Sequence, residues 1–76
     1  MEIKEFVERF SEQFDDTPAE QFAPETKFHE IDEWSSLIAL SLIAMIDEEY
    51  DVVIKGDEMR SAVTVEDLFN IVKAKA

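Results

Sequence analysis

The stretch WSSLIALSLIAMI, residues 34–46, contains no charged residue, although 34% of the chain is Asp, Glu, Lys or Arg. Leu, Ala and Met favour helix over strand, and strict alternation of apolar and polar residues is absent. The stretch therefore predicts a helix from about Ser36 to Tyr50. Since this helix would be apolar nearly all round until Asp47, it is either buried on every side or binds something with its outer face. A chain of 76 residues cannot easily bury a helix on every side, which favours binding.

Length and composition limit the class of protein. The 76 residues predict a single domain, residues 1–76, and the absence of cysteine excludes disulfides and thiolate metal sites. The N-terminus is acidic and amphipathic, unlike a signal peptide, and thirteen uncharged residues fall short of the ~20 that span a bilayer. We expect a soluble, cytoplasmic monomer that does not insert into membranes.

Acidic residues dominate the charge. The chain has 19 Asp and Glu against 7 Lys and Arg, which gives a formal net charge of −12. Such a field repels phosphate backbones, which argues against nucleic-acid binding, and it favours partners with basic surfaces. Hydrophobic residues still make up 46% of the chain, so it is not a disordered acidic tail.

Helical patterns also lie on both sides of the central stretch. Apolar residues spaced by three and four predict a first helix over residues 3–14, and Thr64 is the expected N-cap of a last helix. Residues 15–33 form a long connection with a short helical turn at 19–22, and a further turn is expected at 57–61. Three aromatic or aliphatic residues anchor the connection: Phe22, Phe28 and Ile31. The predicted fold is all-α, a small four-helix bundle of three main helices and one short helix with a long first loop.

Catalytic and metal-binding interpretations find little support. With Gly56 as the glycine of an EF-hand loop, Val53 and Lys55 occupy positions that need oxygen ligands, so a calcium site fails. His29 is the only histidine, and we interpret it as a surface or loop residue. Trp34 is interpreted as a hydrophobic staple or core edge, with a ligand-facing role as the alternative. We predict no catalytic residue and no metal site, and therefore no enzyme.

Two serines open the central helix. Helix capping is the usual reason for serine at this place. The alternative is covalent modification, because an exposed serine hydroxyl at a helix N-terminus is accessible, and the dipole and free N–H groups stabilise an attached phosphate. The two roles are compatible, since Ser35 can cap the helix while Ser36 is modified.

The chain resembles an acyl carrier protein over nearly its whole length. The pair Ser36-Leu37 matches the family's Ser-Leu at the start of helix two, residues 47–51 (DEEYD) match its acidic end, and residues 62–68 (AVTVEDL) match its run into the last helix. The resemblance implies that Ser36 carries 4'-phosphopantetheine, attached by a phosphopantetheinyl transferase. It also implies acyl-processing partners such as a ketosynthase or acyltransferase.

The chain departs from the family pattern around this serine. Ser35 stands where the family usually has aspartate, and Ile38 and Ser41 stand where many fatty-acid-type members have acids. The first half of the exposed face would therefore be apolar and neutral. Core positions on this helix are expected to be Leu42, Met45 and Ile46. Partner-binding positions are expected to be Leu37, Ile38, Leu40, Ser41, Ala44, Asp47 and Glu48.

Several functions remain open within and beside the family. The expected role is to hold acyl intermediates as thioesters for fatty-acid, specialised-lipid or polyketide-type synthesis, and the neutral face suggests a dedicated pathway. An aminoacyl or D-alanyl carrier is an alternative, as is an unmodified degenerate carrier that acts as an acidic helical interaction module. Six residues are expected to line an acyl cavity or to be ordinary core: Phe28, Ile46, Ile54, Met59, Ala62 and Leu68.

Overall fold

Four α-helices follow one another in the computed structural model, which describes residues 2–76. They are α1 (Ile3–Ser11), α2 (Ser36–Tyr50), α3 (Gly56–Ser61) and α4 (Val65–Lys75). Two 3₁₀ turns, Ala19–Gln21 and Phe28–Glu30, lie in the connection between α1 and α2. Within the described residues there is no strand, only one isolated bridge between Lys27 and Thr64. The predicted all-α bundle of three main helices and one short helix with a long first loop is confirmed.

The central helix α2 has the bounds that the sequence predicts. It begins after Ser35, whose hydroxyl accepts a hydrogen bond from the Ile38 amide at 3.2 Å. It ends where Asp51 adopts a left-handed conformation with φ of 56°, a common way to terminate a helix. The three predicted core positions on this helix, Leu42, Met45 and Ile46, are buried.

The first helix is shorter than predicted. It ends at Ser11 and not at residue 14, because the amides of Gln13 and Phe14 bond to carbonyls three residues back, those of Phe10 and Ser11. Such bonds tighten the chain into a 3₁₀-type turn. Phe14 is nevertheless buried, so the apolar spacing indicated the buried face correctly but not the end of the helix.

The long first loop is fixed to the start of α4. The carbonyls of Pro24 and Thr26 accept hydrogen bonds from the amides of Glu66 and Val65, at 2.8 and 3.0 Å. The first amides of a helix have no partner inside the helix, so the loop satisfies two groups that would otherwise need water. The predicted anchors contribute as well: Phe22 and Phe28 are buried, and Ile31 packs against the core. The 3₁₀ turn Phe28–Glu30 was not predicted from the sequence.

Sixteen buried apolar side chains of residues 2–76 form one core, and aromatic rings occupy much of it. The ring centroids of Phe10 and Phe28 lie 5.3 Å apart at an edge-on angle, and those of Phe6 and Phe69 lie 5.5 Å apart. Rings at these distances and angles attract each other beyond the area that they bury. The core therefore joins the first loop to all four helices, since each of these elements contributes buried side chains.

The short helix α3 and the start of α4 are fixed by polar contacts. The ammonium group of Lys75 lies 2.6 Å from the Glu58 carboxylate and donates to the Val53 carbonyl at 3.1 Å. Thr64 caps α4, as predicted, because its hydroxyl accepts the amide of Asp67 at 3.1 Å. No helix among residues 2–76 has the length and apolar character needed to cross a bilayer.

Candidate functional site

The candidate site begins at Ser36, the first residue of α2. The Ser36 side chain is exposed, and the capping hydrogen bond comes from its neighbour Ser35. The cap therefore does not use the Ser36 hydroxyl, which is the division of roles considered from the sequence. The position at a helix N-terminus favours a negatively charged group, because the unpaired N–H groups and the helix dipole point toward it.

The segment before α2 is fixed by Glu33. Its carboxylate accepts hydrogen bonds from the amides of Asp15 and Asp16, at 2.7 and 3.0 Å, and from the Thr17 hydroxyl at 2.8 Å. Desolvation raises the pKa of Glu33, but these hydrogen bonds outweigh it and hold the pKa below its usual value. The Trp34 amide adds a bond to the Ile31 carbonyl at 2.9 Å. These contacts define how the chain enters α2 and hence where Ser36 lies.

The predicted partner-binding residues differ in exposure. Leu37 and Leu40 are 73% and 62% exposed, which is unusual for leucine and identifies an apolar surface next to Ser36. Ile38 and Ser41 are half-buried, and Ile38 packs against the core, so it offers less surface to a partner than Leu37 does. The remaining three, Ala44, Asp47 and Glu48, are exposed.

The acidic half of α2 borders a groove between α1 and α2. Ser41, Ala44 and Glu48 line this groove together with Arg9, Glu12, Gln13, Met45 and Glu49. Arg9 bonds to Glu49 across the two helices and to Glu5 at 3.1 Å within α1. The α1 side of this groove was not predicted, because no local spacing in the sequence indicates that α1 residues lie beside Ser41.

Another groove, of about 420 Å³, lies between α2 and α3 and includes Ser36. It is lined by His29, Trp34, Ser36, Ala39, Leu40, Ile43, Gly56, Met59 and Arg60. Of the six residues expected to line a cavity or to be core, all belong to the core, and Met59 also lines this groove. The sequence did not indicate the contributions of Ala39, Ile43 and Arg60, which depend on how α3 packs beside α2.

Trp34 and His29 form the end of the groove that lies on the first loop. The indole packs edge-on against Phe28 at 5.1 Å and against the His29 ring at 4.8 Å, between ring centroids. Trp34 is therefore a core-edge residue, as interpreted from the sequence, and it is also exposed to the groove that contains Ser36. One side chain thus contacts both the core and the candidate site.

His29 lies in the first loop, as expected, but it is half-buried and connects the loop to α3. Its Nε2 atom is 3.1 Å from the Met59 carbonyl and 3.0 Å from the Ala62 carbonyl, which fits an N–H donor shared between two acceptors. Within residues 2–76 no group of three or more His, Asp or Glu side chains could hold a metal ion. Through its two carbonyl contacts, His29 holds the backbone of α3 and so positions one wall of the groove.

The arrangement suits a phosphate-linked chain. An exposed hydroxyl lies at a helix N-terminus, and a mostly apolar groove begins beside it. Ser36 could hold such a group covalently, while Trp34 and Met59 offer apolar contacts to whatever extends from it. A scan against protein-family models and a search of curated proteins gave no match to the chain.

Proposed function

We propose that the protein is a carrier protein of the acyl carrier type, with 4'-phosphopantetheine attached to Ser36. The observation that supports this most directly is the position of Ser36: exposed, first in α2, not needed for the helix cap, and opening onto the groove between α2 and α3. The resemblance of residues 36–37, 47–51 and 62–68 to the family supports the same role.

The chain's own residues would provide the attachment point for the arm and an apolar groove to hold it. In the attachment step the Ser36 oxygen forms a bond to the phosphorus of coenzyme A that bears the pantetheine, the bond to the adenosine 3',5'-bisphosphate leaving group breaks, and the serine proton passes to the transferase. The thiol at the end of the arm supplies the thioester chemistry when the arm is bound. The groove volume of about 420 Å³ and its apolar lining suit the arm or a short acyl group.

Partner enzymes would dock beside the arm. Leu37 and Leu40 give an apolar contact area, and Asp47 and Glu48 give negative charge further along α2. An enzyme that fits this surface needs an apolar patch bordered by lysine or arginine, because charge complementarity speeds encounter and selects partners. The neutral first half of α2 favours a dedicated lipid or polyketide-type pathway, with an aminoacyl or D-alanyl cargo as the alternative.

The test is intact mass after incubation with coenzyme A and a broad-specificity phosphopantetheinyl transferase. We expect one phosphopantetheine adduct on the wild type and on Ser35→Ala, and none on Ser36→Ala. A Ser35→Asp variant keeps a capping side chain and restores the residue usual in the family, so we expect it to be modified at least as fast as the wild type. Absence of any adduct with this transferase and with those of the source organism would contradict the proposal and favour an unmodified interaction module.

A further inference from the structure

The groove that contains Ser36 differs in charge from three other grooves formed by residues 2–76. Carboxylates line each of the other three grooves. Asp16 and Glu33 line the groove in the first loop, and Glu12 and Glu48 line the groove between α1 and α2. Glu8 lines the groove between α1 and the first loop. Among residues 2–76, no aspartate or glutamate lines the groove between α2 and α3, and Arg60 is the one lysine or arginine in the lining. In a chain with 19 acidic residues, this lining suits an anion with an apolar extension better than the linings of those three grooves do.

Arg60 is available to such an anion. Among residues 2–76 the ion pairs are made by Arg9 and Lys75, so the exposed guanidinium of Arg60 has no carboxylate partner there. Its Nη1 atom lies 3.4 Å from the place where a Cβ on Gly56 would be. The arginine side chain therefore folds back along α3 toward Gly56, and both residues line the groove.

We propose that Arg60 binds the phosphodiester that links the arm to Ser36, and so holds the arm in the groove between α2 and α3. This inference rests on the proposed function. Two features of the site act in the same direction: the N-terminus of α2 favours negative charge, and a guanidinium binds phosphate oxygens with two parallel hydrogen bonds. Elsewhere on the surface the net charge of −12 repels a phosphodiester. Arg60 is thus a positioning residue, and the arm beyond the phosphate contacts Trp34 and Met59.

The experiment compares modified and unmodified protein by NMR in three forms: wild type, Arg60→Gln and Lys73→Gln. Lys73 is an exposed cation of α4 that does not line the groove, so its variant makes the same charge change elsewhere. We expect modification to shift the Trp34 indole N–H and the Met59 methyl signals in the wild type and in Lys73→Gln. In Arg60→Gln these shifts should fall by a factor between about 1.4 and 5, the range for the loss of an exposed ion pair, and added salt should reduce them in the wild type.

Mass spectra and melting curves of the same samples separate the possible failures. Equal melting temperatures of the unmodified forms show that Arg60→Gln is folded. Full adduct formation with equal NMR shifts in the wild type and Arg60→Gln would overturn the role of Arg60 and leave the carrier function standing. Absence of the adduct on every form would overturn both, and a loss of shifts equally large in Lys73→Gln would show a general charge effect that contradicts the site.

Discussion

At the scale of single residues, the two adjacent serines have different structural roles. Ser35 accepts the Ile38 amide, whereas Ser36 is exposed at the first helical position. We predict that Ser35→Ala lowers the free energy of unfolding by about 1 kcal/mol, the usual cost of removing an N-cap, and that Ser36→Ala changes it by less than about 0.5 kcal/mol. Denaturant unfolding of the unmodified proteins measures both. An equal loss in the two variants would show that the cap is not assigned correctly.

Residue roles were predictable where they follow from local sequence. The caps at Ser35 and Thr64 are of this kind, because a cap needs only a side-chain oxygen next to the helix that it begins. The contact of His29 with α3 does not follow from local sequence. Its acceptors are the backbone carbonyls of Met59 and Ala62, thirty residues away or more, and a carbonyl acceptor leaves no signal in the residue type.

At the scale of elements, the short helix α3 depends on contacts from outside it. Six residues are too few for a helix to be stable in isolation, and His29 holds its C-terminal carbonyls. We predict that His29→Leu destabilises the protein by about 1–3 kcal/mol, since it leaves buried acceptors without a donor, and that α3 amides then exchange faster with solvent.

The matched control for this prediction is His29→Gln. The glutamine amide nitrogen can occupy roughly the place of Nε2 and donate to the same carbonyls, so exchange of the Met59 and Ala62 amides should stay close to the wild type. Hydrogen exchange followed by NMR gives the rate at each amide. Wild-type rates in the leucine variant would mean that the histidine does not hold α3.

The start of α4 should be sensitive to acid. Hydrogen bonds from the Thr64 and Val63 amides lower the pKa of Asp67, so its contribution to stability is present above the unfolded pKa of about 3.9 and is lost as the pH falls through the lower folded value. We predict that the wild type melts above Asp67→Asn near neutral pH, and that the difference shrinks below about pH 4 because the protonated acid resembles the amide. Melting curves across this range measure the difference.

Glu66→Gln provides the comparison for Asp67→Asn. It removes a charge from the same first turn of α4 but none of the hydrogen bonds that Asp67 accepts. A difference between wild type and Asp67→Asn that stays constant from neutral pH down to about pH 2 would contradict the link between the carboxylate and the cap.

The elements themselves were predicted unevenly, for a physical reason. The bounds of α2 follow from a local cap and an uncharged stretch, and they were predicted correctly. The predicted end of α1 was wrong because a 3₁₀-type turn keeps Phe14 on the buried face, so the apolar spacing continues after the α-helical hydrogen bonds stop. The turn Phe28–Glu30 was not predicted because it has no period of its own.

At the scale of the whole molecule, the groove at Ser36 could not be read from the sequence. Its walls come from three separate segments, represented by Trp34, Ile43 and Arg60. The sequence identified Ser36 and the apolar character of α2, which are local properties. On the α2 side, the lining has no carboxylate because residues 34–46 contain none. On the α3 side the absence depends on packing, because Asp57 and Glu58 belong to α3 but do not line the groove.

The surface charge leads to a prediction about salt. The molecule measures 29 × 24 × 20 Å, and the Debye length is about 30 Å at 0.01 M salt and about 3 Å at 1 M, so at low salt every charge acts on every other. Repulsion among the charges that make up the net charge of −12 lowers the stability of the fold. Two exposed ion-pair clusters raise it: Arg9 with Glu5 and Glu49, and Lys75 with Glu58. Exposed pairs contribute about 0–1 kcal/mol each, so we expect repulsion to dominate and the melting temperature to rise with sodium chloride.

A variant with less charge at one place tests the cause of this rise. Glu12, Asp47 and Glu48 are exposed acids near the ends of α1 and α2, where the helix dipoles also disfavour negative charge. The triple change Glu12→Gln, Asp47→Asn and Glu48→Gln moves the net charge from −12 to −9. We expect it to melt several degrees above the wild type at low salt, since about 1 kcal/mol corresponds to roughly 4–8 °C in a domain of this size, and to gain less from added salt. A wild-type melting temperature that falls with salt would mean that the ion pairs around Arg9 and Lys75 outweigh the repulsion.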